Sequence, residues 1–174
     1  LINIMDAAVT LPIATRNGLC ELRPNPSGGT YPVMHKGKGS FVPVADDTKG
    51  SWSYWRILND GLQMAEADVK AACEGVRYTL RLRLVMMVDR DGPCEDVTTA
   101  MMTATNDVRG TSKQLRTAVG AINVGFPTVG MMVGGVDTQE FGSAGKAIPT
   151  NRSLIAMDFT MNILGTEGCL VNCN

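Results

Sequence analysis

The sequence predicts an α+β fold: a mainly antiparallel β-sheet or sandwich with two to three helices packed on one face. Three observations carry that expectation. Residues 77–88 (RYTLRLRLVMMV) and 153–164 (SLIAMDFTMNIL) alternate apolar and polar side chains, the period of two that a strand requires. Residues 94–108 (CEDVTTAMMTATNDV) instead space their apolar groups three and four apart, as an amphipathic helix does. The strand-like runs also lie in groups before and after the helical ones, an order that favours an antiparallel sheet.

Along the chain, Ile2, Met5 and Val9 fall at helical spacing, so residues 2–10 predict a short helix that Pro12 stops. Brief strands follow at GLCEL, TYPVMH and SFVPV, joined by turns at NPSGG, KGKG and ADDTKG. Residues 51–58 (SWSYWRIL) read as a strand with Trp52, Tyr54 and Arg56 on one face and Trp55 and Ile57 on the other. Residues 59–74 then switch to a helical period, with Leu62, Ala65, Val69 and Ala72 or Cys73 in one stripe. Asn59 or Asp60 suits the N-cap of that helix and Gly75 its end.

The long strand at 77–88 directs Tyr78, Leu80, Leu82, Leu84, Met86 and Val88 to the core. From Val85 it is apolar on both faces, so that end needs two covers, the helices and a neighbouring subunit. A turn at DRDGP leads into the helix near 94–108, with Val97, Ala100, Met101, Ala104 and Val108 inward. Pro93, Glu95 and Asp96 suit its start, and Ser112 is placed to cap a shorter helix through Val119. An extended stretch (122–141), a tip at GSAGKAIPTN and the strand at 153–164 complete a single domain over 1–174, with Gly/Pro-rich arms near 23–51 and 123–152.

Sixteen basic against seventeen acidic residues in 174 leave almost no net charge. That argues against a broad basic surface for nucleic acid or an anionic membrane. A domain of this length buries about 70% of the surface of its unfolded chain, so a core alone can hold it together. No window offers eighteen uninterrupted apolar residues and no secretory layout opens the chain, so the reading is a soluble intracellular protein. Cys20, Cys73, Cys94, Cys169 and Cys173 are odd in number and form no CxxC pair, which predicts reduced, buried thiols.

No catalytic, cofactor or metal residues are assigned, and no cofactor is expected. His35 is the single histidine, in the turn MHKGKG, which rules out His-based triads and multi-His zinc sites. KGKG lacks phosphate-loop spacing and reads as a hairpin tip, and GCLVNC has three residues between its cysteines where redox and zinc pairs have two. DRDGPCED holds four acids without the alternation of a calcium loop. The polar faces of the two long strands are more informative. If those strands are neighbours, Arg81 or Arg83 faces Asp158. With the aromatic cluster Trp52, Tyr54 and Trp55, these residues are the candidates for a subunit interface, a setting that favours arginine and aromatic rings.

The stretches RYTLRLRLVMMVDR, CEDVTTAMMTATNDVRG and SLIAMDFTMNIL give a layout that resembles the tail-terminator and head-to-tail connector proteins of tailed bacteriophages. The resemblance implies a non-enzymatic virion structural protein, assembled in the host cytoplasm, that forms a homo-oligomeric ring at the phage neck or tail end. Its implied partners are copies of itself and neighbouring connector, portal or tail-tube proteins, with no membrane and no sequence-specific nucleic acid. Two alternatives from the residues themselves are a small metal-dependent enzyme using Asp89, Asp91 and Glu95, and a monomeric ligand-binding module using the tryptophan cluster.

Overall fold

A computed structural model describes residues 1–26, 28–44, 48, 50–65, 75–90, 96–119, 121–133, 135–138, 140–142 and 145–166. The elements are α1 (Ile2–Ala8), β1 (Thr15–Leu19), β2 (Glu21–Pro24), β3 (Thr30–Gly37), β4 (Ser40–Pro43), β5 (Trp52–Ala65) and β6 (Gly75–Asp89). There follow α2 (Val97–Gly110), α3 (Ser112–Val119), β7 (Ala121–Val124), β8 (Thr128–Val133), β9 (Val136–Asp137), β10 (Lys146–Ala147) and β11 (Arg152–Thr166). The main sheet runs β1-β5-β6-β11-β7, with β8 also on the outer side of β11; β2-β3-β4 and β9-β10 make two smaller sheets. Among the described residues, every strand pair is antiparallel except β1 with β5.

The centre of the main sheet is the pair predicted from alternation. β6 and β11 pair without a break from Asp89 and Arg152 to Gly75 and Thr166. Cross-strand partners share a face, so two apolar sets form back to back. One face carries Leu82, Leu84, Met86, Ile155, Met157 and Phe159, packed with Trp55 against Met5, Ala100, Ala104, Val108 and Leu115 of the three helices. The N-terminal arm is tied across this layer: Asp107 Oδ2 accepts from the amide and hydroxyl of Thr10, each at 2.8 Å. Arg16 donates to the carbonyls of Asp6, Val9 and Leu11, which closes the end of α1.

The opposite face carries Trp52, Tyr54, Val85, Met87 and Leu154, packed with Cys20, Val44, Phe141 and Ile148. The second cover over Val85 therefore comes from this same chain, from the segments on either side of the β2-β3-β4 sheet and from the 134–151 excursion, where a neighbouring subunit was expected. Folding back buries Val85 and Met87 completely without a partner.

The helix expected over 59–74 is corrected for its first part. Residues 59–65 continue β5 as strand, Gly75 opens β6 and does not end a helix, and 66–74 lie outside the described residues. Between Ile57 and Leu62 the ladder shifts: five steps on β5 span only two on β6, from Leu82 to Leu80. Such a bulge breaks the period of two, and the resulting spacing imitates a helix. α2 begins at Val97, later than 94, because Asp96 caps it; its carboxylate accepts from the Thr98 amide at 2.9 Å and the Thr99 hydroxyl at 2.7 Å. Ser112, expected as a cap, is the first residue of α3, and its hydroxyl donates to the Arg109 carbonyl at 2.6 Å. Pro93 and Glu95 lie outside the described residues.

Candidate functional site

Three polar side chains lie side by side across the second face: Arg56 on β5 stands opposite Arg83 on β6, which stands opposite Asp158 on β11. Odd positions of β6 and even positions of β11 share this face because the register pairs them. Arg83 grips Asp158 with two bonds, Nε to Oδ1 at 2.5 Å and Nη2 to Oδ2 at 2.8 Å. The paired geometry matches the guanidinium fork to the carboxylate.

A second carboxylate closes the group from above. Glu140, between β9 and β10, accepts from Arg56 Nε at 2.5 Å, Arg56 Nη2 at 2.9 Å, Arg83 Nη1 at 3.0 Å and the Tyr54 hydroxyl at 3.1 Å. Its side chain is 3% exposed. A carboxylate so buried requires this many donors, since desolvation would otherwise cost it several kcal/mol. Its own amide donates to Asp137 Oδ1 at 2.8 Å, which fixes the turn that presents it.

The hydrogen bond to Asp158 raises the affinity of Arg83 for its proton, against the opposing effect of burial. Burial, and then the Glu140 carboxylate, push the Tyr54 hydroxyl well above its ordinary range. Both groups thus hold their protons at neutral pH. Two cations and two anions attract one another in a shielded place, an electrostatic clasp joining β5, β6, β11 and the 134–151 excursion. Nearby, burial pushes the Cys20 thiol up to about 12, so this cysteine stays a thiol.

The sequence offered Arg81 or Arg83 to Asp158, and the structure pairs Arg83. Arg81 lies one step along the same face, half-buried, opposite Thr160. Expected at a subunit interface, Trp52, Tyr54 and Trp55 are wholly buried inside the chain. Trp52 and Tyr54 stack with ring centres 5.8 Å apart over the second cluster. Trp55 points the other way, packs on Phe159 and donates from Nε1 to Asp6 Oδ1 at 3.0 Å. Arg56 was legible only as a face-mate of Trp52 and Tyr54, and nothing in the 122–141 run distinguished Glu140.

Of the acidic turn, Asp89 accepts from Arg152 Nε at 2.8 Å, while Asp91 and Glu95 lie outside the described residues, as do Cys73, Cys94, Cys169 and Cys173. Among the described residues no three His, Cys, Asp or Glu side chains converge to hold a metal ion. His35, expected in a turn, is an exposed residue of β3 whose ring meets the edge of Phe41 at 4.9 Å. The turn itself is Lys38-Gly39, both at positive φ, the form that a two-residue hairpin favours.

Two surfaces bear on binding. A cleft of about 630 Å³ lies beside β1, lined among others by Leu19, Cys20, Val33, His35, Arg56 and Ile57. At the far edge of the sheet, β8 pairs with β11 along one side, and among the described residues no strand pairs with its other side. Beside that edge Phe126 is 73% exposed, Met131 54% and Val129 38%. No helix among the described residues is long and apolar enough to cross a membrane. Neither a known family model nor a curated protein matches this chain.

Proposed function

We propose that the chain is a non-enzymatic virion structural protein that assembles with copies of itself into a ring at the neck or tail end of a phage. The observation that carries the assembly reading is the β8 edge, a six-residue strand with Val129 and Met131 exposed and Phe126 beside it. Unpaired strand edges with exposed apolar groups are what further chains add to. The two faces of the sheet, helices on one and the β2-β3-β4 sheet with the 134–151 excursion on the other, are taken as an α+β sandwich, leaving the edges for contact. Arg83 and Asp158 are engaged with each other. A repeated contact that is not self-complementary closes rings when its rotation allows. The place at the neck or tail end, next to connector, portal or tail-tube proteins, rests on the family resemblance.

Size-exclusion chromatography with light scattering tests the assembly. The expected species is hexamer-sized or larger, and Met131→Lys with Val129→Lys shifts it toward the 18.6 kDa monomer. A wild-type monomer at every concentration, together with virions that electron microscopy shows to lack the protein, refutes the proposal. A second reading, a ligand-binding module, is favoured by the cleft beside β1, whose volume lies within the few-hundred-Å³ range of small-molecule sites. It uses Leu19, Ile57 and Arg56 and not the buried tryptophans.

A further inference from the structure

We infer that the excursion carrying Glu140 is a latched cover, able to lift from the second face of the sheet while the sheet stays folded. This reading does not depend on what the β8 edge binds. The excursion leaves after Val133 and returns at Ser153, and these two residues are direct partners in the β8-β11 ladder. Both of its ends therefore stand at one place, as a hinged flap requires. Gly135, at φ 81°, follows the first end. Within the flap, Asp137 pairs with Lys146 and Val136 with Ala147, and the Ile148 amide donates to the Gly135 carbonyl at 2.9 Å. These bonds all lie within the flap.

Among the described residues, the contacts that fasten the middle of the flap down include the following. Phe141 and Ile148 pack on Trp52, Tyr54, Val85, Met87 and Leu154. The Thr30 amide donates to the Phe141 carbonyl at 3.2 Å. The Glu140 carboxylate takes four donors, all of them from β5 and β6. The carboxylate is the latch, because its charge holds the flap to two strands at once. Asp158 continues to satisfy Arg83 when Glu140 leaves, so the sheet keeps half of the clasp. Segments held by few anchors open at lower free energy than the sheet they cover.

Hydrogen exchange of the full-length chain, read by mass spectrometry, tests this with Glu140→Gln, which keeps the size of the side chain and removes its charge. The expected result is exchange about tenfold or more faster in peptides covering 135–148, with the sheet segments 52–56, 80–88 and 153–159 changed much less. Exchange that rises equally in all four regions, or in none, overturns the inference. Should that variant fail to fold, wild-type exchange in sub-denaturing urea decides. The amides of Gly145 and Ile148 are expected to open with a smaller urea dependence than those of Leu84 and Met157, and a shared dependence overturns the latch.

Discussion

Replacing Arg83 with methionine keeps much of the aliphatic stem and removes the guanidinium. Three charge-assisted hydrogen bonds are lost, at 2.5 and 2.8 Å to Asp158 and 3.0 Å to Glu140. Glu140 keeps Arg56, but Asp158 is left without this cation in a place where its side chain is only 18% exposed. Stranding one member of a buried pair costs about 3–5 kcal/mol. The partial exposure of Arg83 and Asp158 admits some water, so the expected cost is near the lower end, about 3 kcal/mol. For a chain of this length that corresponds to a fall in Tm of roughly 6–12 °C. Equilibrium urea unfolding measures the loss, and Asp158→Leu completes the cycle. The double variant is expected to recover about 2 kcal/mol of the sum of the single losses, because a methionine-leucine pair strands no charge. A cost below about 1 kcal/mol for Arg83→Met, the value of a solvated surface pair, refutes the clasp, as does a coupling of zero.

Alkaline pH gives a second prediction. The Cys20 thiol keeps its proton in the folded state up to about 12 but loses it near 9.0 once unfolded, and Tyr54 is shifted in the same direction. The folded state thus binds more protons across this window, so its stability is full below pH 9 and falls as pH rises toward 12. The urea midpoint is expected to decline over that range and less steeply in Cys20→Ala; an unchanged slope contradicts the assignment. Two glycines give a third prediction. A Cβ at Gly142, at φ 67°, meets Gly29 Cα and the Thr30 amide nitrogen at 2.9 Å, both backbone atoms. Gly142→Ala is therefore expected to cost more than about 1 kcal/mol, whereas Gly130→Ala on β8, with open space around it, is neutral or stabilising by about 0.5 kcal/mol. Equal losses by thermal unfolding refute the close approach.

The parts of the fold legible in the sequence are those where one physical period dominates. β6 and β11 pair over their full length, and through Leu80, Leu82 and Leu84 on one and Met157, Phe159 and Met161 on the other the apolar residues keep to one face, so alternation located both. The pairing of Arg83 with Asp158 followed from their polar faces, although the pattern could not choose between Arg81 and Arg83, a choice that register makes. The second half of β5 was hidden because the bulge after Ile57 shifts its phase, and local spacing cannot see the β6 partner that imposes a strand there. Glu140 was hidden for a different reason. Its burial comes from Arg56 and Arg83, 84 and 57 residues away, and a glutamate in a polar loop looks like any solvated acid. The intrachain cover over Val85 was missed likewise, since a Gly-rich arm does not show in its composition whether it folds back or reaches out.

The sheet's spatial order departs from its order of synthesis. β11 stands between β6 and the β7-β8 edge, yet it is the last of these strands along the chain. Its first rung, Arg152 against Asp89, closes a separation of 63 residues, and the Arg83 rung one of 75. A nascent chain therefore carries β6 with one edge unpaired until residues 152–166 emerge. Distant closures of this kind make for slow folding with an interval of stickiness. The bulged partner β5 is the strand paired with β6 in that interval, and the arrival of β11 is the step that commits the chain to its native form.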